Sequence, residues 1–330
     1  MGQRANLILV NDGKYDLYYS HWCANTLPGD LFWGPEEALS FIKQQQLTDE
    51  WLDDRWAEGG VMMDLDRKFM LWYGGEDILY DIPLRRQLFA LMQPLWSGWE
   101  QQWAKGGIID MARYLNYPLE QVRSVEYTAD LPSFIEPEQK GGFIRTIASL
   151  VFSNGEMRIF PIHATFDEYL LAGESFLQAI DPALGQEKLV VAEWTEDFPD
   201  QGFHLDMVRQ TLDIWYAGAE SDLIPHVKKC WAGWTVTDLG DQYEQQSTLT
   251  DNAVVFGQPS ELELTERLRR MLVRANSSSP VDTVKRFAEM NIQMGKKVEV
   301  NPLALFDHPQ DLDLSTRAAK FEYALSQVRG

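Results

Sequence analysis

The sequence predicts an α+β fold made of two copies of one unit and a helical tail. Asp-Gly and Asn-Gly lie between short β-favouring runs, which is a strong signal for β-hairpins and hence for antiparallel sheets. Helical patterns occur between these runs without regular β-α-β alternation. The pattern of the first half also returns in the second half. We therefore expect two antiparallel-sheet-plus-helix halves that form a pseudo-symmetric body, followed by a C-terminal helical segment.

The repeat is visible as residues that recur at a fixed distance. Gly13 and Gly155 are 142 positions apart, and so are His21 and His163. Shared order and paired rare residues indicate an internal duplication. Matching motifs follow in the same order, namely Asp-x-x-Arg with Trp-Tyr at 64–73 and 206–216, and Trp-x-Gly-Trp at 96–99 and 231–234.

Each element of the first copy has a local reason. Asp12-Gly13 between "ANLILV" and "YDLYYSHW" predicts a hairpin. A helix is expected at about 35–46, because Pro35 suits a first turn and the two glutamates that follow it complement the helix dipole. Alternating residues in "GGVMMDLD" and "KFMLWYGG" predict a second hairpin. A helix over "IPLRRQLFALMQPL", a strand at "WEQQWA" and a short helix at "GIIDMARYLN" complete the copy.

The pattern divides the chain into four segments. Residues 1–130 form the first α+β copy, 131–142 a linker rich in Pro, Gly and charge, and 143–258 the second copy. Residues 259–330 contain three amphipathic helical patterns. The first of these begins with Ser260 as N-cap and a glutamate three residues later, the signature of a capping box.

The charge limits the classes of partner. The chain has 29 Lys and Arg against 50 Asp and Glu, a formal charge of −21. Its long-range field repels nucleic acids and anionic membranes and attracts basic proteins. No uninterrupted apolar run reaches the length of a membrane span. We expect a basic protein partner, with neither nucleic acid nor a membrane as partner.

Cysteine content and the N-terminus predict a compartment. Two cysteines provide neither a disulfide framework nor a four-cysteine zinc site, and they favour a reducing environment. The N-terminal stretch lacks the apolar core and cleavage site of a secretory signal. We therefore expect a cytoplasmic protein that uses no cofactor.

Two clusters of aromatic and acidic residues are the candidate partner-binding site. Aromatic side chains surrounded by carboxylates are suited to receive Arg or Lys from another protein. A structural alternative stays open, because an amphipathic helix with a solvated acidic face has the same pattern. The candidate residues are Trp51, Asp53, Asp54, Trp56 and Glu58 in the first cluster and Trp72, Tyr73, Glu76 and Asp77 in the second.

Two enzymatic alternatives are also open. His21 and Cys23 point to one face of a strand, as a Cys/His hydrolase requires, although residues two apart on a strand lie about 7 Å apart. Asp64 and Asp66 form an Asp-x-Asp motif that can bind a divalent cation in a metal-dependent transferase. No phosphate-binding loop, nucleophile elbow, HExxH or CxxC motif occurs. A binding protein is therefore the leading hypothesis.

The stretches "RANLILVNDGKYDLYYSHW", "LFWGPEEALSFI", "WLDDRWAEGG" and "WYGGEDILYDIPLRR" carry a resemblance. Over about residues 4–125 the chain resembles a family of uncharacterised soluble bacterial proteins. In overall character it resembles the immunity proteins that are paired with polymorphic toxins of the Rhs or type VI secretion kind. This resemblance implies a cytoplasmic, non-catalytic antitoxin that binds the active site of a cognate toxin domain. It assigns no functional residues.

Overall fold

The chain divides into two compact units. The first unit comprises Met1–Ile78, Pro83–Ser124 and Ser260–Gly330, and the second comprises Leu79–Ile82 and Val125–Pro259. The C-terminal helices thus belong to the first unit, and the described part of the expected linker belongs to the second. The computed structural model describes residues 3–124, 126–128, 135–219, 222–257, 259–274, 279–306 and 312–329, so residues 131–134 of that linker lie outside the described residues.

The first 124 residues contain six strands and five helices within the described part of this stretch, and they include both expected hairpins. In chain order these are β1 Ala5–Asn11, β2 Lys14–Ser20, α1 Leu27–Leu31, α2 Pro35–Lys43, β3 Gln46–Thr48, β4 Gly59–Asp64, β5 Phe69–Tyr73, α3 Glu76–Tyr80, α4 Ile82–Met92, β6 Glu100–Trp103 and α5 Ile108–Tyr114.

The remaining elements include the three C-terminal helices, and the capping box at the start of the first of them is confirmed. The elements are β7 Thr146–Val151, β8 Met157–Ile162, α6 Asp167–Leu170, β9 Leu189–Val190, β10 Gln201–Asp206, β11 Thr211–Tyr216, α7 Ile224–Cys230, β12 Thr235–Gly240, α8 Glu244–Leu249, β13 Val254–Val255, α9 Glu261–Leu272, α10 Pro280–Gln293 and α11 Leu314–Arg329.

The α+β class is confirmed, and the two main sheets share one topology. The first has the order β3-β2-β1-β4-β5-β6 and the second β12-β11-β10-β7-β8. If β3 is set aside, the path β2-β1-β4-β5-β6 has the same connections as β8-β7-β10-β11-β12. This shared order supports the interpretation of the chain as two copies.

The sheets are mixed, which corrects the expectation of antiparallel sheets. The hairpins are antiparallel, but β1 pairs with β4, and β7 with β10, in parallel. In each unit the third long strand, β4 or β10, begins at the end of the sheet where the second strand of the hairpin ends. It pairs, however, with the first strand of the hairpin, β1 or β7. Parallel pairing follows from that choice of neighbour. β5 and β6, and likewise β11 and β12, are also parallel.

Both units use an aspartate to close the turn that follows their third long strand. Asp64 Oδ1 accepts a hydrogen bond from the backbone N–H of Arg67 at 2.9 Å. In the second unit Asp206 Oδ1 accepts from the backbone N–H of Arg209 at 2.9 Å. The repeated Asp-x-x-Arg motif is therefore a turn signature.

The Trp-x-Gly-Trp motif is also structural in both units. The indole Nε1 of Trp96 donates to the carbonyl of Leu31 at 3.0 Å. The indole Nε1 of Trp231 donates to the carbonyl of Leu170 at 2.7 Å. Both indoles are fully buried and each meets the second tryptophan of its motif edge-on. In the first unit this hydrogen bond connects the segment before β4 with the segment before β6. In the second unit it connects the segment before β10 with the segment before β12.

The Trp-Tyr pair that recurs in the sequence does not occupy equivalent positions in the two sheets, because it is displaced by one residue. Gly60 pairs with Tyr73 across β4 and β5, whereas Gly202 pairs with Trp215 across β10 and β11. Trp215 therefore occupies the position of Tyr73, not that of Trp72. Because successive strand residues face opposite sides, Trp72 and Trp215 lie on opposite faces of their sheets.

The second unit has a buried polar network where the first has apolar side chains. Ile8 pairs with Met62 in the first sheet, and both are fully buried. Ser149 and His204 occupy the corresponding positions in the second sheet, with Ser149 Oγ 2.9 Å from Nδ1 of His204. Nε2 of Gln246 on α8 donates to the same hydroxyl at 2.9 Å.

Gln246 connects α8 to three strands. Its Nε2 also lies within donor distance of the carbonyls of Ile147 and Phe203, at 3.0 and 2.8 Å. Its Oε1 accepts from Nε1 of Trp215 at 2.7 Å. Since buried polar groups are costly without partners, this amide fixes the position of α8 on the sheet.

We predict that Gln246→Ala lowers the free energy of unfolding by about 2–4 kcal/mol, because it leaves the Trp215 donor and the carbonyl acceptors buried without their partner. Urea denaturation followed by tryptophan fluorescence measures the change. Gln245→Ala is the matched control at an exposed position of the same helix and is expected to stay within about 0.5 kcal/mol of the parent. Equal effects of the two variants would contradict the prediction.

Burial lowers the pKa of His204 below its ordinary value of 6.5, against the opposing fields of Asp213 and Asp206. Just below pH 6.5 the His204 ring is therefore still neutral in the folded protein, whereas in the unfolded chain it binds a proton. Stability is expected to fall as the pH drops through this range, by at most about 1.4 kcal/mol per pH unit. Unfolding midpoints at several pH values should show a smaller slope in His204→Asn, and an unchanged slope in the exposed-site control His163→Asn. A slope unaffected by His204→Asn would refute this assignment.

Candidate binding surface

The two units provide an internal comparison for the candidate site. A feature that occurs in both units is explained by the fold they share. A feature that occurs in one unit alone needs a separate explanation and is a candidate for function.

The first acidic and aromatic cluster has a counterpart in the second unit that the sequence comparison missed. Glu50-Trp51-Leu52-Asp53-Asp54 corresponds to Glu193-Trp194-Thr195-Glu196-Asp197, at a spacing of 143. The first stretch precedes β4 and the second precedes β10, the equivalent strand. This match can be read from the sequence, but its spacing is one residue longer than the spacing of 142 that the glycine and histidine matches share. Most of this cluster therefore belongs to the shared fold.

The contacts within this cluster agree with a structural role for Trp51, Asp53 and Asp54. Trp51 stacks on Tyr117 with ring centroids 4.7 Å apart. Asp53 Oδ1 accepts from the backbone N–H of Trp56 at 3.1 Å and so closes a turn. Asp54 Oδ1 accepts from the backbone N–H of Ser124 at 2.8 Å. These contacts hold the segment before β4 in one conformation.

Glu58 belongs to an arginine–carboxylate pair that both units contain. Oε2 of Glu58 accepts from the backbone N–H of Arg4 at 2.7 Å and lies 3.9 Å from Arg4 Nε. In the second unit Arg145 Nε lies 2.8 Å from Asp200 Oδ2. The pair joins the start of the first strand to the residue that precedes its parallel neighbour.

Trp56 is the residue that distinguishes the two clusters. Its side chain is 47% exposed, and the guanidinium carbon of Arg4 lies 4.2 Å from the ring centroid. In the second unit this stretch contains Phe198, which packs against Tyr243 and Phe256 in the core. The shared fold therefore does not account for an exposed tryptophan here.

The second predicted cluster divides between the core and the surface. Trp72 and Tyr73 are buried on β5, which corrects their assignment to a partner-binding surface. Both faces of the sheet are covered at this point: Trp72 stacks on Phe89, and the hydroxyl of Tyr73 donates to the carbonyl of Ala57 at 3.0 Å. Tyr73 thereby supports the segment that carries Trp56 from beneath.

Glu76 and Asp77 are exposed at the start of α3. Glu76 Oε2 lies 3.4 Å from Nδ2 of Asn25. Because β4 and β5 are antiparallel, the residues before β4 and those after β5 lie at the same end of the sheet. The structure thus places these two carboxylates at the sheet end that carries Glu58. We call Asp53, Trp56, Glu58, Glu76 and Asp77 the Trp56 surface.

The contacts of His21 and Cys23 do not favour a nucleophile pair. Nδ1 of His21 lies 2.7 Å from the hydroxyl of Tyr19, and its ring meets Trp22 edge-on. Cys23 is buried, and burial raises the pKa of its thiol far above the ordinary value. The thiol therefore stays protonated at neutral pH, whereas nucleophilic attack needs the thiolate.

Asp64 and Asp66 cap turns. Oδ2 of Asp64 accepts from the hydroxyl of Tyr114 at 2.6 Å, while Oδ1 closes the turn after β4. The two oxygens of Asp66 accept from the backbone N–H groups of Asp12 and Gly13, each at 3.0 Å. These backbone hydrogen bonds lower the pKa of Asp66. Across the described ranges, no group of three or more metal-ligating side chains is present.

We predict that the native protein has one reactive thiol per chain. Cys230 is exposed, whereas Cys23 is buried and held as the thiol, so Ellman's reagent should titrate one equivalent in native buffer and two after unfolding. Cys230→Ser is the control and should leave no rapidly reacting thiol in the native state. Two rapid equivalents in the folded protein would instead show Cys23 to be accessible.

Comparisons with known protein families, curated proteins and solved structures found no match for this chain. None of the helices in the described ranges combines the length and the apolar character that a membrane crossing requires. The function is therefore inferred from the geometry and charge of the chain's own residues.

Proposed function

We propose that the protein is a non-catalytic binding protein whose Trp56 surface receives a basic protein partner. The observation that carries this proposal is Trp56 itself, a half-exposed indole in the first unit, whereas the second unit packs the half-buried Phe198 of the same stretch against its core. Exposed tryptophans within acidic surroundings are suited to anchor a partner's arginine.

The segment that carries Trp56 is held rigidly, which favours binding. Asp53 and Asp54 accept hydrogen bonds from backbone N–H groups, and the Tyr73 hydroxyl donates one to the Ala57 carbonyl, so three hydrogen bonds fix this segment. A surface already in its bound conformation loses little entropy when the partner arrives.

Arg4 shows how this surface accommodates a guanidinium. Its side chain lies over the ring of Trp56, and Glu58 pairs with it at the edge. A partner's arginine would meet the remaining face of the indole, and Glu76 and Asp77 at the same end of the sheet would add to the negative field around it. The formal charge of −21 adds a long-range attraction that accelerates encounter with a basic surface.

We infer further that the partner is a toxin domain, such as a nuclease or an ADP-ribosyltransferase, and that the chain neutralises it by covering its active site. The resemblance in overall character to toxin immunity proteins supports this choice. So does charge, because nucleases need basic surfaces for their phosphate-rich substrates. An acidic protein can occupy the same surface in place of the substrate.

Capture from a lysate of the source organism, with elution in steps of increasing salt, identifies the partner. We expect one basic protein, bound at a one-to-one ratio and released more readily at high salt. Addition of the purified acidic chain should inhibit the partner's activity in proportion to the amount of complex that is formed. Recovery of the chain alone, or a partner whose activity is unaffected, would refute the toxin proposal.

With the partner in hand, Trp56→Ala is predicted to weaken the complex by at least about 2 kcal/mol, or roughly 30-fold in Kd, because it removes the central anchor. Isothermal titration calorimetry measures the change. Glu76→Lys with Asp77→Lys should weaken binding and slow association, since both carboxylates are exposed and the reversal repels a basic partner.

The matched control is Glu196→Lys with Asp197→Lys, which makes the same charge change at exposed positions of the second unit. Its affinity should remain much closer to that of the parent. If the control weakens binding as much as the Glu76 and Asp77 reversal, the attraction depends on net charge alone and the placement on the Trp56 surface is wrong.

A further inference from the structure

The first unit contains a cleft of about 210 Å³ between α2 and the segment that leads into α11. Since a water molecule takes roughly 30 Å³ of liquid, the cleft has the volume of about seven waters. It can therefore hold a molecule of amino-acid size. Asp30, Trp33, Glu36, Phe41, Leu312 and Arg317 are among the residues that line it.

Ionic contacts hold the walls of the cleft together. The ammonium of Lys320 on α11 binds the carboxylate of Glu37 on α2 and the carbonyl of Trp33. Arg317, one turn earlier on α11, is buried and lies in the electrostatic field of Asp30. The cleft is thus fixed in shape before any ligand arrives.

One carboxylate in the cleft, that of Glu36, has no partner of opposite charge among the described residues. Asp30 and Arg317 are of opposite sign at the buried floor, where they are 5% and 4% exposed. Lys320 neutralises Glu37. Glu36 also lines the cleft and is exposed, and no hydrogen bond or ion pair to it occurs among the described residues.

Three of the side chains that line the cleft together with this carboxylate are apolar. Phe41 and Leu312 are half-buried, and Trp33 is almost fully buried. Apolar walls with a few fixed polar groups are the usual composition of a small-molecule site. The lining of this cleft therefore suits a molecule with one positive end and an apolar body.

We propose that the cleft binds a small organic cation, a primary amine on an apolar body. Its ammonium group lies at Glu36 and its body packs against Phe41, Trp33 and Leu312. An ammonium has three donors and no acceptor, which matches a carboxylate with free lone pairs. This site is separate from the Trp56 surface and does not depend on the proposed function.

Phenethylamine is a suitable probe, because phenethyl alcohol and 3-phenylpropanoate have the same body with a neutral or an anionic head. Titration of the full chain, followed by ligand-observed NMR, measures each Kd. We expect saturable binding of phenethylamine that is at least about tenfold tighter than that of either analogue, since the neutral alcohol cannot form an ion pair with the Glu36 carboxylate and the anion is repelled by it.

Glu36→Gln keeps the shape of the side chain and removes its charge, so it should weaken phenethylamine binding about tenfold and leave phenethyl alcohol unchanged. Glu120→Gln, at an exposed glutamate of the same unit outside the cleft lining, is the matched control and should bind as the parent does. The absence of saturable amine binding, equal affinity in Glu36→Gln, or tighter binding of 3-phenylpropanoate would each overturn the proposal. Glu36→Gln removes a first-turn charge of α2 and should lower stability by at most about 1 kcal/mol, so both variants should remain folded, and unfolding midpoints verify this.

Discussion

The parallel pairing of two strands that are distant in sequence determines the rest of each unit. β1 with β4, and β7 with β10, form the centres of their sheets. This pairing brings the residue before β1 next to the residue before β4, which is how Arg4 meets Glu58 and how Trp56 acquires its guanidinium neighbour. Closing such a long loop is entropically costly, so the extensive burial along both central strands must offset it.

Around these common centres the two units differ in chemistry. Turn aspartates, buried indoles and arginine–carboxylate pairs recur because they hold the sheet in register. The differences lie in the side chains that the central strands carry: Ile8 and Met62 in one unit, Ser149 and His204 in the other. An exposed Trp56 opposed to a packed Phe198 is a difference of the same kind.

Local features could be predicted from the sequence, and long-range features could not. The Asp12-Gly13 hairpin and the Ser260 capping box depend on a few adjacent residues, and both are present. Parallel pairing depends on which distant strand is chosen as neighbour, for which periodicity carries no signal. "FMLWY" is buried along its whole length because both faces of the sheet are covered, so Trp72 could not be told from Trp56 by composition. The cleft joins α2 to residues beyond 311 and has no sequence signature at all.

The C-terminal helices give the first unit a discontinuous sequence, with a consequence for how the protein is made. Phe321 of α11 stacks on Phe32 with ring centroids 5.8 Å apart, so the core of the first unit includes residues that are synthesised after the second unit. The second unit ends before residue 260 and can fold while the ribosome is still translating the tail. During translation the first unit is therefore begun before the second unit and completed after it.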